Sequence, residues 1–169
     1  MKFEVLQNAI VFRNAFEDLS GFIEEQKQKP LQDSGLSSAN IDRYDTDIRE
    51  SKQVSINHNN PVVEKVREIS KFANENYFKI NISHYAKENH FLQYDNGGKF
   101  EKHADTYYKT QIHNVGVCLN NNYDGGEFVL YNPEEQLPKE TGNIYTFPSV
   151  RFHEVKKIIK SNASFFFDL

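Results

Sequence analysis

Histidine and aspartate, two residue types that bind transition metals, stand two positions apart at His103 and Asp105. Side chains at positions i and i+2 of a β-strand point to the same side, so this pair can reach one metal ion from one strand end. His103 is the only one of the six histidines that is followed two residues later by an acid. Because a lone His-x-Asp pair is also common on a strand-turn surface, the surrounding residues must decide between the two interpretations.

The pair ends a longer segment with regular three-residue spacing, Tyr94-x-x-Gly97-x-x-Phe100-x-x-His103-x-Asp105. Four short segments follow it along the chain: Leu119-Asn120, Gly125-Gly126-Glu127, Phe147-Pro148-Ser149 and His153-Glu154-Val155. Each segment is common by itself, whereas the ordered combination is specific.

This ordered set resembles the iron(II)- and 2-oxoglutarate-dependent oxygenases, in particular their prolyl-4-hydroxylase-like branch, over residues 90–160. The resemblance implies a double-stranded β-helix (jelly-roll) core. By position, it implies that His103, Asp105 and His153 form a facial metal triad and that Tyr94 lines the 2-oxoglutarate pocket. Two neutral imidazoles and one carboxylate on one face of octahedral Fe(II) leave three positions open, which a bidentate 2-oxo acid and O2 require.

The same resemblance implies an Fe(II)- and 2-oxoglutarate-dependent dioxygenase that hydroxylates an unactivated C–H bond. Its cofactors would be Fe(II), 2-oxoglutarate and O2, with ascorbate as a candidate reductant. A peptidyl proline is the first substrate expected, and a free amino acid or another small molecule is the second. Taken alone, His153 could instead be a hydrogen-bonded histidine and Tyr94 a core aromatic residue.

One basic residue of the family pattern is missing. Members usually carry an Arg or Lys about ten residues after the second histidine, where it pairs with the distal carboxylate of 2-oxoglutarate. Here Ala163 stands at that position. We predict Lys160, in the preceding turn, as the substitute. Other basic residues of nearby segments are further candidates: Lys102, Lys109, Arg151, Lys156 and Lys157.

Three functions therefore remain open. The first is a working oxygenase whose co-substrate carboxylate is bound by a relocated lysine or by Tyr, Thr and Ser hydroxyl groups. The second is an iron oxygenase with a different oxo acid or reductant, and the third is a degenerate jelly-roll protein that binds metal without turnover. The intact triad favours the enzymes, while the missing basic residue keeps the third function open.

The secondary-structure elements predicted around these residues indicate an α+β fold. A first helix that ends at Pro30 is predicted by apolar residues at helical spacing: Phe12, Phe16, Leu19 and Ile23. A second helix is predicted to begin with Asn60 as N-cap and Pro61 as first residue, and to reach about Tyr77. Between the helices, residues 31–40 read as a loop, and the charged segment Ile41–Ser51 reads as a mobile loop that could act as a lid.

From Lys79 onward the apolar period changes to two, which predicts short strands separated by turns. The predicted strands are Ile80–Ile82, His90–Tyr94, Ile112–Leu119, Glu127–Tyr131, Asn143–Phe147, His153–Ile159 and Ser164–Asp168. The strands suggest an antiparallel barrel or sandwich buttressed by the helices. With the jelly roll that the family resemblance implies, we expect one domain over residues 1–169, with helical support over about 1–78 and the jelly-roll core over about 79–169.

Composition limits the setting in which this chemistry occurs. The 169 residues contain 20 Lys+Arg and 24 Asp+Glu, so the net charge of −4 indicates neither a nucleic-acid nor an anionic-membrane partner. A single cysteine excludes an intramolecular disulfide framework and favours a reducing, cytoplasmic location. Apolar runs are too short to span a membrane. We therefore expect a peptide or small-molecule substrate.

Overall fold

A computed structural model describes most of the chain and shows two β-sheets facing each other, with helices covering the outer side of the larger sheet. The described residues are 2–33, 36–38, 41–43, 47–83, 89–105, 113–160 and 163–168, and for 36–38, 41–43 and 163–168 only the backbone is considered. The mostly stranded, mixed architecture confirms the predicted double-stranded β-helix.

The chain alternates many short strands with two α-helices. The strands before the second helix are β1 (Lys2–Val5), β2 (Ile10–Arg13), β3 (Gln32–Asp33), β4 (Leu36–Ser38), β5 (Ile41–Arg43), β6 (Arg49–Glu50) and β7 (Lys52–Ile56). The helices are α1 (Ser20–Lys27) and α2 (Pro61–Ala73), and a π-helical turn (Asn74–Phe78) extends α2. The later strands are β8 (Asn89–Tyr94), β9 (Lys99–His103), β10 (His113–Cys118), β11 (Asp124–Gly125), β12 (Phe128–Leu130), β13 (Glu135–Gln136), β14 (Ile144–Pro148), β15 (His153–Val155), β16 (Ile158–Lys160) and β17 (Ala163–Asp168).

The larger sheet has eight strands in the order β1-β2-β14-β10-β17-β8-β7-β3, and the smaller has five in the order β13-β12-β15-β9-β6. Two further pairs, β11-β16 and β4-β5, complete the described strands. The chain passes from the smaller sheet to the larger one at Ser51, the single residue between β6 and β7. This crossing brings the start of β7 beside the end of β8, because Lys52 pairs with Gln93.

Alternation along the larger sheet divides the core into two layers. On β2, Val11 packs into the cluster between the two sheets, whereas its neighbour Phe12 packs into the cluster beneath the helices. On β14, Tyr145 and Phe147 face the smaller sheet, and Ile144 faces the helices. Since successive side chains of a strand point to opposite faces, one buried sheet serves both layers.

The predicted start of the second helix is confirmed. Asn60 is the N-cap of α2, and its Oδ1 accepts a hydrogen bond of 2.9 Å from the backbone N–H of Val62. Pro61 occupies the first helical position, where its missing N–H is not needed. The α-helix ends at Ala73, and the π-helical turn then carries the chain past the predicted end at Tyr77.

The first helix was predicted to start too early. Phe12 lies in β2 and is fully buried, and α1 begins only at Ser20. The apolar spacing is helical by coincidence, because Phe12 is buried through strand alternation and not through a helical stripe. The predicted division at about residue 78 also does not separate helices from strands, since β1, β2, β3 and β7 join the larger sheet.

Several segments between the helices also differ from the predictions. Residues 31–40 were predicted as a loop but contain β3 and β4, while residues 34, 35, 39 and 40 lie outside the described part. The predicted lid Ile41–Ser51 contains β5 and β6, and residues 44–46 of it lie outside the described part. Residues 79–83, predicted to start a strand, have no regular secondary structure.

Most of the later strands confirm the period-two pattern. The predicted strand His153–Ile159 is divided, because β15 joins the smaller sheet whereas β16 pairs with β11. The strand β9, which leads to His103, was not predicted as a strand. Among the helices of the described residues, none has the length and apolar content needed to cross a membrane.

The α2 N-cap yields a stability prediction. Replacing Asn60 by Ala removes the acceptor of the Val62 N–H, and we expect the free energy of unfolding to fall by about 1 kcal/mol. Urea denaturation followed by circular dichroism measures the change. The neighbouring exposed residue supplies the control, since Asn59→Ala should change the free energy by less than roughly 0.5 kcal/mol. Equal effects of the two substitutions would contradict the capping role.

Candidate metal centre

The two histidines of the predicted triad lie opposite each other on paired strands. β9 and β15 run antiparallel, and the Cα of His103 is the pairing partner of the Cα of His153. Asp105 lies two residues beyond the end of β9, and its backbone N–H donates a 3.2 Å hydrogen bond to the carbonyl of Ser149. Strand pairing and this backbone contact therefore bring Asp105 close to His153, which lies 48 positions later in the chain.

The three side chains converge with their ligand atoms together. His103 Nε2 lies 3.4 Å from Asp105 Oδ1, and His153 Nε2 lies 3.3 Å from Asp105 Oδ2. Within the described residues, these three ligand atoms form a group whose members all lie within 4.8 Å of one another. Neighbouring ligands of an octahedral ion with bonds of about 2.1 Å lie about 3 Å apart, so the donor set fits one ion.

Backbone carbonyls orient both imidazole rings. The Nδ1 of His103 contacts the carbonyl of Glu101 at 2.7 Å, and the Nδ1 of His153 contacts the carbonyl of Arg151 at 3.0 Å. A carbonyl oxygen can only accept, so each Nδ1 carries the proton and donates it. Each Nε2 then has a free lone pair directed toward Asp105. This Nδ1-protonated tautomer is the one that a metal ligand requires.

The Asp105 carboxylate is oriented by a short polar chain. Asn114 Nδ2 donates a hydrogen bond to Asp105 Oδ2, and Ser149 Oγ donates to Asn114 Oδ1 at 2.7 Å. Asn114 and Ser149 are both buried. Asn114 was not identified from the sequence, although its place on a period-two strand next to His113 is visible there.

The environment of the triad controls its charge. Burial lowers the pKa of His153 to about 4, so this imidazole is neutral at neutral pH. Burial by itself raises the pKa of Asp105, but the polar contacts of the carboxylate, among them the hydrogen bond from Asn114, outweigh that effect and leave the pKa lowered. A carboxylate and a neutral imidazole are the protonation states that bind metal ions.

Aromatic rings close the apolar sides of the centre. The Phe100 ring stacks on His103 with centroids 3.6 Å apart. Phe128 and Phe147 lie 5.5 and 5.2 Å from the His153 ring. These contacts restrict the rotation of both imidazoles without competing for their nitrogen atoms.

His113 lies on the opposite face of the larger sheet from the triad. Its Nδ1 lies 3.1 Å from Ser70 Oγ of α2, and its Nε2 forms a hydrogen bond with Thr146 Oγ1. The Phe78 ring packs on it with centroids 5.0 Å apart. His113 is therefore a structural residue between sheet and helix and not a fourth ligand. His58 and His90 do not join the triad either, and His84 lies outside the described residues.

Tyr94, the predicted 2-oxoglutarate contact, ends β8 and is 1% exposed. Burial raises the pKa of Tyr94, and the Arg49 charge together with hydrogen bonds to Ser51 and Arg49 opposes that rise. The phenol hydroxyl is therefore surrounded by polar groups from the segment that joins the two sheets. Arg49 and Ser51 were not identified from the sequence, because they fall in the segment interpreted as a mobile loop.

Lys160, the predicted partner of the distal carboxylate, is exposed on β16, where its Cα pairs with that of Asp124. The other basic candidates have partners elsewhere or are exposed. Lys102 lies over the Tyr131 ring, Lys156 pairs with Glu154, Arg151 donates to the carbonyl of Asn132, Lys157 is exposed, and Lys109 lies outside the described residues.

Comparison with known families agrees with this geometry. Residues 89–167 match the model of the 2OG-Fe(II) oxygenase superfamily, a segment that contains all three triad residues. This match confirms the resemblance to the iron(II)- and 2-oxoglutarate-dependent oxygenases. That family uses Fe(II), 2-oxoglutarate and O2. No curated protein matches the sequence.

Solved structures with the same fold include several prolyl hydroxylases. A Pseudomonas putida prolyl-4-hydroxylase is 17% identical, with a TM-score of 0.68 over 89% of this chain and 85% of that one. A Trichoplax adhaerens prolyl hydroxylase, in complex with a peptide fragment of the hypoxia inducible factor oxygen degradation domain, is 15% identical, with a TM-score of 0.70 over 95% and 81%. A viral collagen prolyl hydroxylase from Paramecium Bursaria Chlorella virus-1, in complex with 2OG, is 13% identical, with a TM-score of 0.70 over 95% and 94%. At these identities the likeness establishes the fold.

His113 yields a prediction about pH. Burial lowers the pKa of His113 from 6.5 to about 4, so the unfolded chain binds a proton there more readily than the folded one. The resulting stability is present above pH 6.5 and is lost as the pH falls toward 4, by about 2 kcal/mol. Urea unfolding of the wild type and of His113→Gln at pH 7 and pH 4.5 measures it. The fall should be smaller in the variant, and equal falls would contradict the assignment.

Asn114 yields a prediction about metal affinity. Removing its amide by Asn114→Ala leaves Asp105 without its orienting donor, and we expect Mn²⁺ affinity to fall by roughly 10- to 100-fold. Isothermal titration calorimetry with Mn²⁺, a redox-stable substitute for Fe(II), measures this loss. Asn76→Ala, an exposed change on the π-helical turn, is the control that should leave the affinity unchanged. Unaltered Mn²⁺ binding in Asn114→Ala would show that Asp105 does not need the amide.

Proposed function

We propose that the protein is an Fe(II)- and 2-oxoglutarate-dependent dioxygenase with His103, Asp105 and His153 as its iron ligands. The main support is the convergence of these three ligand atoms within 4.8 Å. Two imidazoles and one carboxylate are the facial ligand set of non-haem Fe(II) oxygenases, in which the remaining positions are open to co-substrate and O2. The family match over residues 89–167 points to the same chemistry.

When bound, Fe(II) would couple the oxidative decarboxylation of 2-oxoglutarate to hydroxylation of a C–H bond, so that substrate, 2-oxoglutarate and O2 give hydroxylated product, succinate and CO2. The chain itself supplies orientation and exclusion of water. The Glu101 and Arg151 carbonyls hold the imidazole tautomers, and Asn114 holds the carboxylate. Tyr94, buried between the sheets, is proposed to line the 2-oxoglutarate pocket.

For the substrate, we propose a prolyl residue in a peptide. The fold is shared with prolyl hydroxylases, one of them in complex with a peptide fragment. A free amino acid or another small molecule is the second substrate class. We also propose a cytoplasmic location, because a reducing compartment keeps iron ferrous and the one cysteine, Cys118, is buried as a free thiol.

A second candidate function is a metal-binding jelly-roll protein without turnover. One observation favours it: residue 163, where the family usually carries a basic residue, is alanine. Such a protein would bind Mn²⁺ or Fe(II) through the triad but would not convert 2-oxoglutarate. Measurement of turnover therefore separates the two functions.

The decisive experiment measures succinate. The wild type with Fe(II), 2-oxoglutarate, ascorbate and a proline-containing peptide should form succinate together with a peptide that has gained one oxygen atom. His103→Ala removes one ligand and should reduce succinate formation by at least roughly 100-fold. The matched control is His58→Ala, an exposed histidine outside the triad, which should retain full activity.

The outcomes separate the candidates. Succinate formation that depends on His103 but not on His58 supports the oxygenase, and the oxidised product identifies the substrate class. Metal binding without succinate, with all peptides, amino acids and oxo acids tested, would support the metal-binding protein instead.

A further inference from the structure

The position of the missing basic residue is defined by strand pairing. In the pairing of β17 with β8, the Cα partner of Ala163 is Tyr94. The residue that usually binds the distal carboxylate would therefore stand beside Tyr94. An alanine at that position offers no charge, so a cation that serves the same carboxylate must reach Tyr94 from another strand.

Arg49 lies near Tyr94 but belongs to the other sheet. It lies on β6, the edge strand of the smaller sheet, where its Cα pairs with Phe100 of β9. One residue separates it from Ser51, at which the chain crosses to the larger sheet. Arg49 and Ser51 are positions i and i+2, so both can point inward from one extended segment. Both lie within hydrogen-bonding reach of the Tyr94 hydroxyl.

Contacts hold the Arg49 guanidinium in this orientation. Its Nε donates a 2.9 Å hydrogen bond to Ser51 Oγ, and Ser51 is buried. Its Cζ lies 4.6 Å from the centre of the Phe100 ring, whose other neighbour is the stacked His103 ring at 3.6 Å. One aromatic ring thus separates the guanidinium from a triad histidine.

The charge of Arg49 is not neutralised by a neighbour in the described part of the chain. No carboxylate there forms an ion pair with it, whereas other half-exposed cations do, such as Lys52 with Asp95 and Lys99 with Glu101. A guanidinium has five N–H donors, of which the contact with Ser51 occupies Nε and the hydrogen bond with the Tyr94 hydroxyl occupies one more. Donors therefore remain that can bind a carboxylate, a geometry that arginine favours.

We propose that Arg49, with Tyr94 and Ser51, binds the distal carboxylate of 2-oxoglutarate and takes the place of the basic residue missing at position 163. This inference rests on the proposed function. In 2-oxoglutarate two methylene groups separate the 2-oxo group from the distal carboxylate, and in this proposal the ligand would extend from the triad, past Phe100, to the guanidinium. Arg49 replaces Lys160 in this role, because Lys160 is exposed on β16.

The test removes the two partners of the proposed ion pair separately: the Arg49 guanidinium from the protein and the distal carboxylate from the ligand. Mn²⁺-loaded protein is titrated calorimetrically with 2-oxoglutarate and with 2-oxopentanoate, in which a methyl group replaces the distal carboxylate. Arg49→Met should weaken 2-oxoglutarate binding by roughly 10- to 100-fold, the effect of losing a charge-assisted hydrogen bond. Affinity for 2-oxopentanoate should change by less than about threefold, since that ligand has no charge for Arg49 to bind. Arg49→Lys should recover part of the loss.

Control variants locate the effect. Arg67→Met removes the guanidinium that donates from α2 to the carbonyl of His58, and it should leave both affinities unchanged. Lys160→Met tests the position predicted from sequence. Mn²⁺ affinity and the thermal unfolding midpoint, measured on every variant, show whether the triad and the fold remain intact.

The outcomes distinguish this inference from the proposed function. Wild-type protein that binds Mn²⁺ but neither oxo acid would overturn both. Full affinity of Arg49→Met for 2-oxoglutarate, an equal loss for the two oxo acids, or a selective loss in Lys160→Met would each overturn the role of Arg49 alone. A selective loss of 2-oxoglutarate binding in Arg49→Met, with Mn²⁺ binding retained, supports it.

Discussion

The antiparallel pairing of β9 with β15 is the contact on which the rest of the site depends. It places His103 directly opposite His153, and the turn after β9 then needs only two residues to bring Asp105 between the two Nε2 atoms. Backbone carbonyls close to each histidine fix the ring orientation, so the ligand set is preformed by main-chain geometry. A slip of one residue in this pairing would turn a histidine to the other face of the sheet.

The larger sheet packs against this strand pair, and its two faces have different roles. His113 and Asn114 are neighbours on β10, yet His113 contacts α2 and Asn114 orients Asp105. Strand alternation therefore explains why an adjacent histidine is structural while the asparagine serves the metal centre. The helices have a supporting role, since α2 covers the outer layer of the core and carries Ser70 to His113.

Local patterns predicted some elements well and others poorly. The cap at Asn60-Pro61 and most later strands depend on short-range preferences, and these predictions were confirmed. Phe12 was assigned to a helix because apolar spacing alone cannot distinguish a helical stripe from a strand buried on both faces. Arg49 was overlooked for a related reason: a charged segment reads as a solvated loop unless its partner strand is known.

The class of chemistry follows from the amino-acid sequence alone. The spacing of His103, Asp105 and His153, with its ordered glycine and aromatic neighbours, is enough to indicate the oxygenase family, because the family constrains residue types along one strand and its turns. Which cation lies beside Tyr94 becomes visible only in the folded chain. Arg49 and Ala163 are far apart in the chain, and they come to Tyr94 through two pairings of β8, with β7 just after Arg49 and with β17 at Ala163. Non-local pairing of this kind leaves no signal in residue spacing, since the two strands are free to vary in separation along the chain.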